Sequence, residues 1–198
     1  MKIKVWEAAL VAAVLISALL GFKMSGEQEE LSERVVRLHV VANSDSESDQ
    51  ILKLKVRDAV LEELSGKLRN ASNADEAAVI IGANLEKLEA AASDVIAAEG
   101  QTFEVTAVLS TEVFPTRSYD TFSLPAGEYE SLRLTIGAGE GRNWWCVVFP
   151  PICTEAAVEW DMTGLSESQV MLITGEAGGY AVKFRALELL AKIKSWLR

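Results

Sequence analysis

The chain of 198 residues contains one histidine and two cysteines, so it has few side chains that could form a nucleophile–base pair. No serine lies in a G-x-S-x-G turn and none is followed three residues later by lysine, so the common serine-hydrolase signatures are missing. His39 is the only histidine, and a catalytic triad or a histidine-based zinc site would have to use this one residue. It is a candidate general base, but its place in mid-strand favours a histidine that is hydrogen-bonded within a sheet.

Carboxylates gather near the start of the first predicted helix, at Asp45, Asp49 and Asp58. Two such side chains could serve a hydrolase that uses a pair of carboxylates. Asp and Ser are also preferred at helix N-termini, because they satisfy unpaired N–H groups and the helix dipole. Capping is the simpler explanation, and we expect no enzymatic activity, no metal ion and no cofactor.

The segment GAGEGR places Gly137, Gly139 and Gly141 between two predicted strands. Its spacing differs from the G-x-G-x-x-G of a dinucleotide-binding loop, and no helix follows it. We therefore predict that the segment is a hairpin turn.

Cys146 and Cys153 are the only cysteines, with six residues between them. In an exported domain an oxidising compartment favours a disulfide between the two. The adjacent Trp144 and Trp145 lie on a predicted strand and must point to opposite faces. An outward Trp144 beside Arg142 is a candidate contact for a protein partner, with filling of the core as the alternative.

Residues 1–24 begin with two lysines and continue with a fifteen-residue apolar run from Ala8 to Phe22. As a helix this run is about 22 Å long, shorter than a hydrocarbon core of roughly 30 Å. The pattern favours a signal peptide, with an N-terminal membrane anchor as the alternative. Lysines before the run outnumber the one just after it, so either reading predicts that the body is exported.

The remainder is predicted to be a polar stem at residues 25–33 and a single domain at residues 34–198. The hydrophobic content of 49% is enough for a folded core. The formal net charge is −10, and the first 24 residues hold three lysines and one glutamate, so the body is more acidic than the whole. Such a body would be repelled by phosphate backbones, and we expect no nucleic-acid partner.

The apolar spacing predicts the element order β-α-α-β-β-β-α. A strand at residues 34–42 precedes a helix that Ser46 caps and that runs to about Gly66. A second helix is predicted to run without interruption from the cap Asn73 to Gly100. The remaining elements are strands at residues 103–113, 128–136 and 144–149, an irregular acidic loop at 154–179 and an amphipathic C-terminal helix. We predict an α+β fold, with helices on one face of a mostly antiparallel sheet of about four strands.

Three segments resemble the stage II sporulation protein R family: RLHVVANSDSESDQILKLKVRDAV at 37–60, FPTRSY with LPAGEYESLRLTIGAGEGRNWWCVVFPPIC within 114–153, and VKFRALELL near the C-terminus. The resemblance covers about residues 34–153 and the final helix. Two features depart from it, since glycine would be expected at Asp120 and residues 154–179 match no pattern of the family.

The resemblance implies a signalling protein of endospore formation, exported from the forespore into the space between the two membranes and either secreted there or anchored. There the family activates a membrane-embedded aspartic protease of the mother cell, the stage II sporulation GA protein. That protease processes the precursor of the early mother-cell sigma factor. The resemblance thus implies a protease activator with no small-molecule substrate, while an exported envelope hydrolase and a tethered structural module are the alternatives.

The resemblance assigns no catalytic residues to carry over. We therefore infer the partner-binding residues from the first strand–helix junction and from the second similar block. They are Asn43, Asp45, Asp49, Arg57, Asp58, Arg117, Arg142 and Trp144. Caps, ion pairs and core packing are the alternative roles for these side chains.

Overall fold

A computed structural model describes residues 29–119 and 123–150 of the chain. The predicted signal segment, Asp120, Cys153, the acidic loop at 154–179 and the C-terminal helix lie outside the described residues. Because Cys153 is among them, the disulfide to Cys146 stays a prediction.

The described residues form an α+β fold, as the sequence predicts. After a helical turn at residues 29–32 the elements are β1 (Val36–Val41), α1 (Glu47–Leu68), α2 (Ala74–Gly82), α3 (Leu85–Ala98), β2 (Val105–Phe114), β3 (Arg117–Ser118), β4 (Ser123–Leu124), β5 (Gly127–Ile136) and β6 (Asn143–Phe149). None of these helices is long and apolar enough to cross a bilayer.

The main sheet has four strands in the order β2-β5-β1-β6. β1 runs parallel to β5 and antiparallel to β6, while β2 and β5 are antiparallel. Two of the three pairings are therefore antiparallel, which agrees with a mostly antiparallel sheet. β3 and β4 pair with each other as a separate two-stranded ribbon that the sequence did not predict.

β1 is the centre of the sheet and all six of its residues are buried. Val36, Leu38 and Val40 face the helices and join the main hydrophobic core. Arg37 and His39 face the other side, where a second cluster covers the sheet. The residues of that cluster are Leu31, Val35, Phe114, Leu124, Tyr129 and Val147, with Tyr119 and Trp145 packed against them. Leu31 is fully buried although it lies in the predicted stem.

The helices begin where the sequence places their caps. The Ser46 side chain accepts a hydrogen bond from Asp49 N, and the Asn73 side chain accepts one from Glu76 N. The prediction of one unbroken helix from Asn73 to Gly100 is wrong, because α2 ends at Gly82 and α3 begins at Leu85. At the break, the Asn84 side chain donates to the Ile80 carbonyl and its own carbonyl accepts from the first turn of α3. The side chain of Asn84 therefore ends one helix, and its carbonyl starts the next.

The prediction of a hairpin between β5 and β6 is also wrong, because β1 lies between these two strands in the sheet. The segment 137–142 instead crosses over the point where β1 leaves the sheet. Gly141 N donates to the Ala42 carbonyl at 2.9 Å, and Glu140 N donates to the Asn43 carbonyl at 3.2 Å. Alternating apolar residues with a glycine-rich connection fit a hairpin and this crossing equally well, since both join antiparallel strands.

Glycine is required at the crossing because the chains approach closely there. A Cβ added to Gly141 would overlap the carbonyl of Ser44, whereas a Cβ added to Gly66 on α1 would meet nothing within 4 Å. We expect Gly141→Ala to lower the free energy of unfolding by about 1–3 kcal/mol, as overpacking does. Gly66→Ala should raise it by about 0.5–1 kcal/mol, because alanine favours the helix.

Urea denaturation of the two variants beside the parent measures both effects. Equal stability of Gly141→Ala and the parent would contradict the close crossing.

Candidate functional site

The N-terminus of α1 and the crossing segment 137–142 form one connected polar region, which we call the junction. The first of its two buried charges is the carboxylate of Asp49, a residue that is only 7% exposed. Asp49 Oδ2 accepts hydrogen bonds from Asn43 Nδ2 at 2.8 Å and from Ser44 Oγ at 2.6 Å. These bonds, from Ser44 first and Asn43 second, hold the pKa of the Asp49 carboxyl below its usual value.

Asn43 connects this carboxylate to the crossing segment. While its Nδ2 donates to Asp49, its Oδ1 accepts from Ala138 N at 3.0 Å. A Cβ at Gly137 would overlap the same Oδ1, so glycine allows the segment to come this close. One side chain therefore joins the end of β1, the start of α1 and the crossing segment.

Lys53 is the second buried charge of the junction, with an exposed fraction of 4%. Its Nζ donates to Gln50 Oε1 at 2.6 Å and to the Arg142 carbonyl at 2.8 Å. Burial is the main cause that lowers the pKa of the Lys53 ammonium, and the nearby Arg142 adds to it. The lysine thus connects α1 to the last residue of the crossing segment through neutral acceptors.

The surface of the junction carries an exposed pair of opposite charges. Asp45 Oδ1 accepts from Arg142 N at 2.7 Å and lies 3.5 Å from Arg142 Nε. The side chains of Asp45 and Arg142 are 63% and 73% exposed. Such an exposed ion pair adds little to stability, so both charges remain available to a partner.

Beside this pair, Arg57 packs on the ring of Trp144. The guanidinium carbon lies 4.5 Å from the ring centroid, and Arg57 also forms an ion pair of 2.6 Å with the exposed Asp58. Trp144 is half-buried against the helix-side core, and its buried Nε1 has no hydrogen-bond partner in the described part of the chain. Arginine on an aromatic ring forms a cation–π contact that holds both side chains in place.

The structure brings together seven of the eight predicted partner-binding residues. Asn43, Asp45, Asp49, Arg57, Asp58, Arg142 and Trp144 all lie at or beside the junction. Arg117 does not, because it packs over Trp145 at 5.6 Å, on the opposite face of the sheet. Sequence reasoning missed Ser44, Gln50 and Lys53, although all three lie close to the helix start.

On the opposite face, His39 is hydrogen-bonded at both ring nitrogens. Nδ1 lies 3.1 Å from Glu112 Oε2, and Nε2 lies 2.8 Å from Asn143 Oδ1. The ring stacks on Trp145 with centroids 3.9 Å apart, and only 6% of the residue is exposed. This is the environment of a histidine that is satisfied within a sheet, which the sequence favoured.

Arg37 was not singled out from the sequence, yet it is the largest fully buried side chain. Its guanidinium lies 4.1 Å from the Phe114 ring centroid and 5.0 Å from that of Tyr129, while Nη2 donates to Tyr119 Oη at 2.7 Å. Burial is the main cause that lowers its pKa. A single charged residue within the apolar run VVRLHVVA was the available signal. Among the described residues, no group of three or more His, Cys, Asp or Glu side chains could hold a metal ion.

A family model for stage II sporulation protein R matches residues 32–159, which include nearly all of the described fold. The chain belongs to the stage II sporulation protein R family. Membership in it implies a role in sporulation.

A curated relative is the stage II sporulation protein R of Bacillus subtilis (strain 168), which is 37% identical over 131 residues. The match covers 66% of this chain and 58% of the relative, so the chain spans less than two thirds of that protein's length. No solved structure matches the chain.

The lowered pKa of Asp49 gives a pH-dependent prediction for stability. Its contribution is fully present above the unfolded-state pKa of about 3.9 and is lost as the pH falls through the lower, folded-state pKa. We expect Asp49→Asn to be less stable than the parent at pH 7, because the neutral amide lacks the negative charge that strengthens the hydrogen bonds from Asn43 and Ser44. The difference should shrink as the pH falls below about 4.

Urea denaturation at a series of pH values between 2 and 7 measures this difference. Asp45→Asn, at an exposed carboxylate that keeps its acceptor oxygen, is the matched control and should differ little from the parent. A constant difference for Asp49→Asn across the series would contradict the assignment.

Proposed function

We propose that this protein is an exported signalling protein of sporulation that binds and activates a membrane-embedded aspartic protease, the stage II sporulation GA protein. In this proposal it acts in the space between the two membranes around the forespore, and the active protease then processes the precursor of the early mother-cell sigma factor. Membership in the stage II sporulation protein R family is the observation that supports the proposal most directly.

The junction is the surface that we assign to the protease. The charges of Asp45 and Arg142 are exposed, yet the backbone beneath them is fixed by the hydrogen bonds of Asn43 and Asp49. A surface that is already ordered loses little conformational entropy when a partner binds. Arg57 and Trp144 beside it are of the residue types that contribute most to protein interfaces.

Activation needs more than binding. A partner shifts a protease towards its active arrangement only if it binds that arrangement more tightly than the inactive one. We infer that the junction contacts a part of the extracytoplasmic face of the protease that differs between the two states. The activator then supplies no catalytic group of its own.

Arg142→Glu tests the assignment with little risk to the fold, since the side chain is 73% exposed and the backbone bonds of Arg142 remain. The protein, the protease and the precursor are co-expressed in a non-sporulating host, and the processed fraction is measured by immunoblot. We expect processing to depend on this chain and to fall at least tenfold with Arg142→Glu.

Lys87→Glu on α3 is the matched control, because it reverses an exposed charge away from the junction and should leave processing unchanged. Arg117→Glu tests the opposite face. If Arg117→Glu stops processing while Arg142→Glu and Arg57→Glu do not, the protease binds the other face. If processing occurs without this chain, the proposed function itself is wrong.

A further inference from the structure

β2 forms one edge of the sheet, and no strand lies on its outer side in the described part of the chain. Its register with β5 runs unbroken from Val105 to Phe114, and the strand contains neither proline nor lysine. Proteins usually protect a long edge strand with a bulge, a proline or a lysine, because its unpaired backbone groups attract other strands. β2 is thus a ten-residue edge strand without a bulge, a proline or a lysine.

Two contacts show which backbone groups of β2 point outward. The Glu104 carbonyl accepts from Gly137 N, towards β5, whereas Ala107 N donates to Glu89 Oε1 on α3 at 2.7 Å. Neighbouring residues of an antiparallel strand alternate between facing the partner strand and facing away. The N–H and C=O groups of Leu109, Thr111 and Val113 therefore face away from β5, and no hydrogen bond joins them to another described residue.

An acidic cleft of about 520 Å³ lies next to this free edge, on the helix side of the sheet. Thr111 lines it, and so does Val79, which is 73% exposed. Val113, two residues further along β2, is 50% exposed. The carboxylates that line the cleft are those of Glu29, Glu33, Asp75, Glu128 and Glu130, and its described lining includes no lysine or arginine.

We propose that an extended, basic peptide segment of another protein binds to β2 as an additional strand, pairing with Leu109–Val113. In this mode backbone hydrogen bonds supply affinity, and alternate side chains supply specificity. Side chains opposite Thr111 and Val113 stand on the helix side, where lysine or arginine meets the carboxylates of the cleft. Side chains on the other side of the peptide are not selected by charge.

A second copy of this chain fits the edge less well. Two-fold antiparallel pairing of β2 with itself would place both acidic clefts side by side on the same face of the combined sheet. The like charges would repel, in a protein whose net charge is already −10. The inference concerns a different surface from the junction and does not depend on the proposed function.

The probe is a fluorescein-labelled peptide, Lys-Val-Lys-Val-Lys-Val-Lys, with Glu-Val-Glu-Val-Glu-Val-Glu as its matched control. Binding to the full chain in detergent micelles is measured by fluorescence anisotropy at low salt. We expect the basic peptide to bind and the acidic peptide not to bind.

Backbone pairing is separated from simple charge attraction by Thr111→Pro. Proline removes an outward N–H and leaves the hydrogen bonds between β2 and β5 in place, which is where sheets tolerate it. We expect at least a tenfold loss of affinity, whereas Thr111→Val keeps the N–H and should bind as the parent does. If Thr111→Pro fails to fold, peptides N-methylated at alternate residues give the same information, because one of the two methylation patterns blocks pairing with β2.

Equal affinity of the parent and Thr111→Pro, or of both methylated peptides and the unmodified one, would reduce binding to charge attraction and overturn the proposal. Dimers in sedimentation velocity that Thr111→Pro dissociates, together with no peptide binding, would assign the edge to a second copy and overturn it as well.

Discussion

The crossing of segment 137–142 over the end of β1 is the constraint on which most of the structure depends. β1 is buried on both faces and paired on both edges, with β5 on one side and β6 on the other. A short connection from β5 to β6 must therefore pass over the residues where β1 leaves the sheet. It can pass only because Gly141 leaves room for the Ser44 carbonyl and because Asn43 bonds the amide of Ala138.

This crossing explains why two distant segments of the sequence behave as one unit. Asp49 and Lys53 lie near the start of α1, and the Lys53 ammonium donates a hydrogen bond to the Arg142 carbonyl of the crossing segment. Their buried charges are bonded to neutral groups instead of to each other, so each stays hydrogen-bonded without a buried ion pair. Arg37 on the other face follows the same rule, with aromatic faces and a tyrosine hydroxyl as its partners. The ion pairs at the surface of the junction are then not needed to hold the fold.

The sequence pattern correctly predicted those parts of the fold that depend on interactions between residues close in sequence. The alternation along β1, the caps Ser46 and Asn73, and the bounds of β5 and β6 all follow from side chains within a few residues of each other. The strand order does not, because a glycine-rich connection is compatible with a hairpin and with a crossing. For the same reason the helix break at Asn84 was missed, since the apolar period continues through it and only the bond to Ile80 reveals the end of α2.

The candidate site divides in the same way. Asn43, Asp45 and Asp49 are predicted to lie near one another because they are close in sequence. The contacts of Asp45 with Arg142 and of Arg57 with Trp144 depend instead on the strand order. Adjacent residues of β6 point to opposite faces, so Trp144 belongs to the junction while Trp145 and Arg117 belong to the other face. Exposed charges such as Asp45 and Arg142 mainly set the orientation and rate of an encounter, so reversing one of them impairs the encounter although the native charge adds little affinity. In the proposed complex with the protease, the affinity at the junction then comes mainly from the half-buried ring of Trp144 and the arginine packed on it.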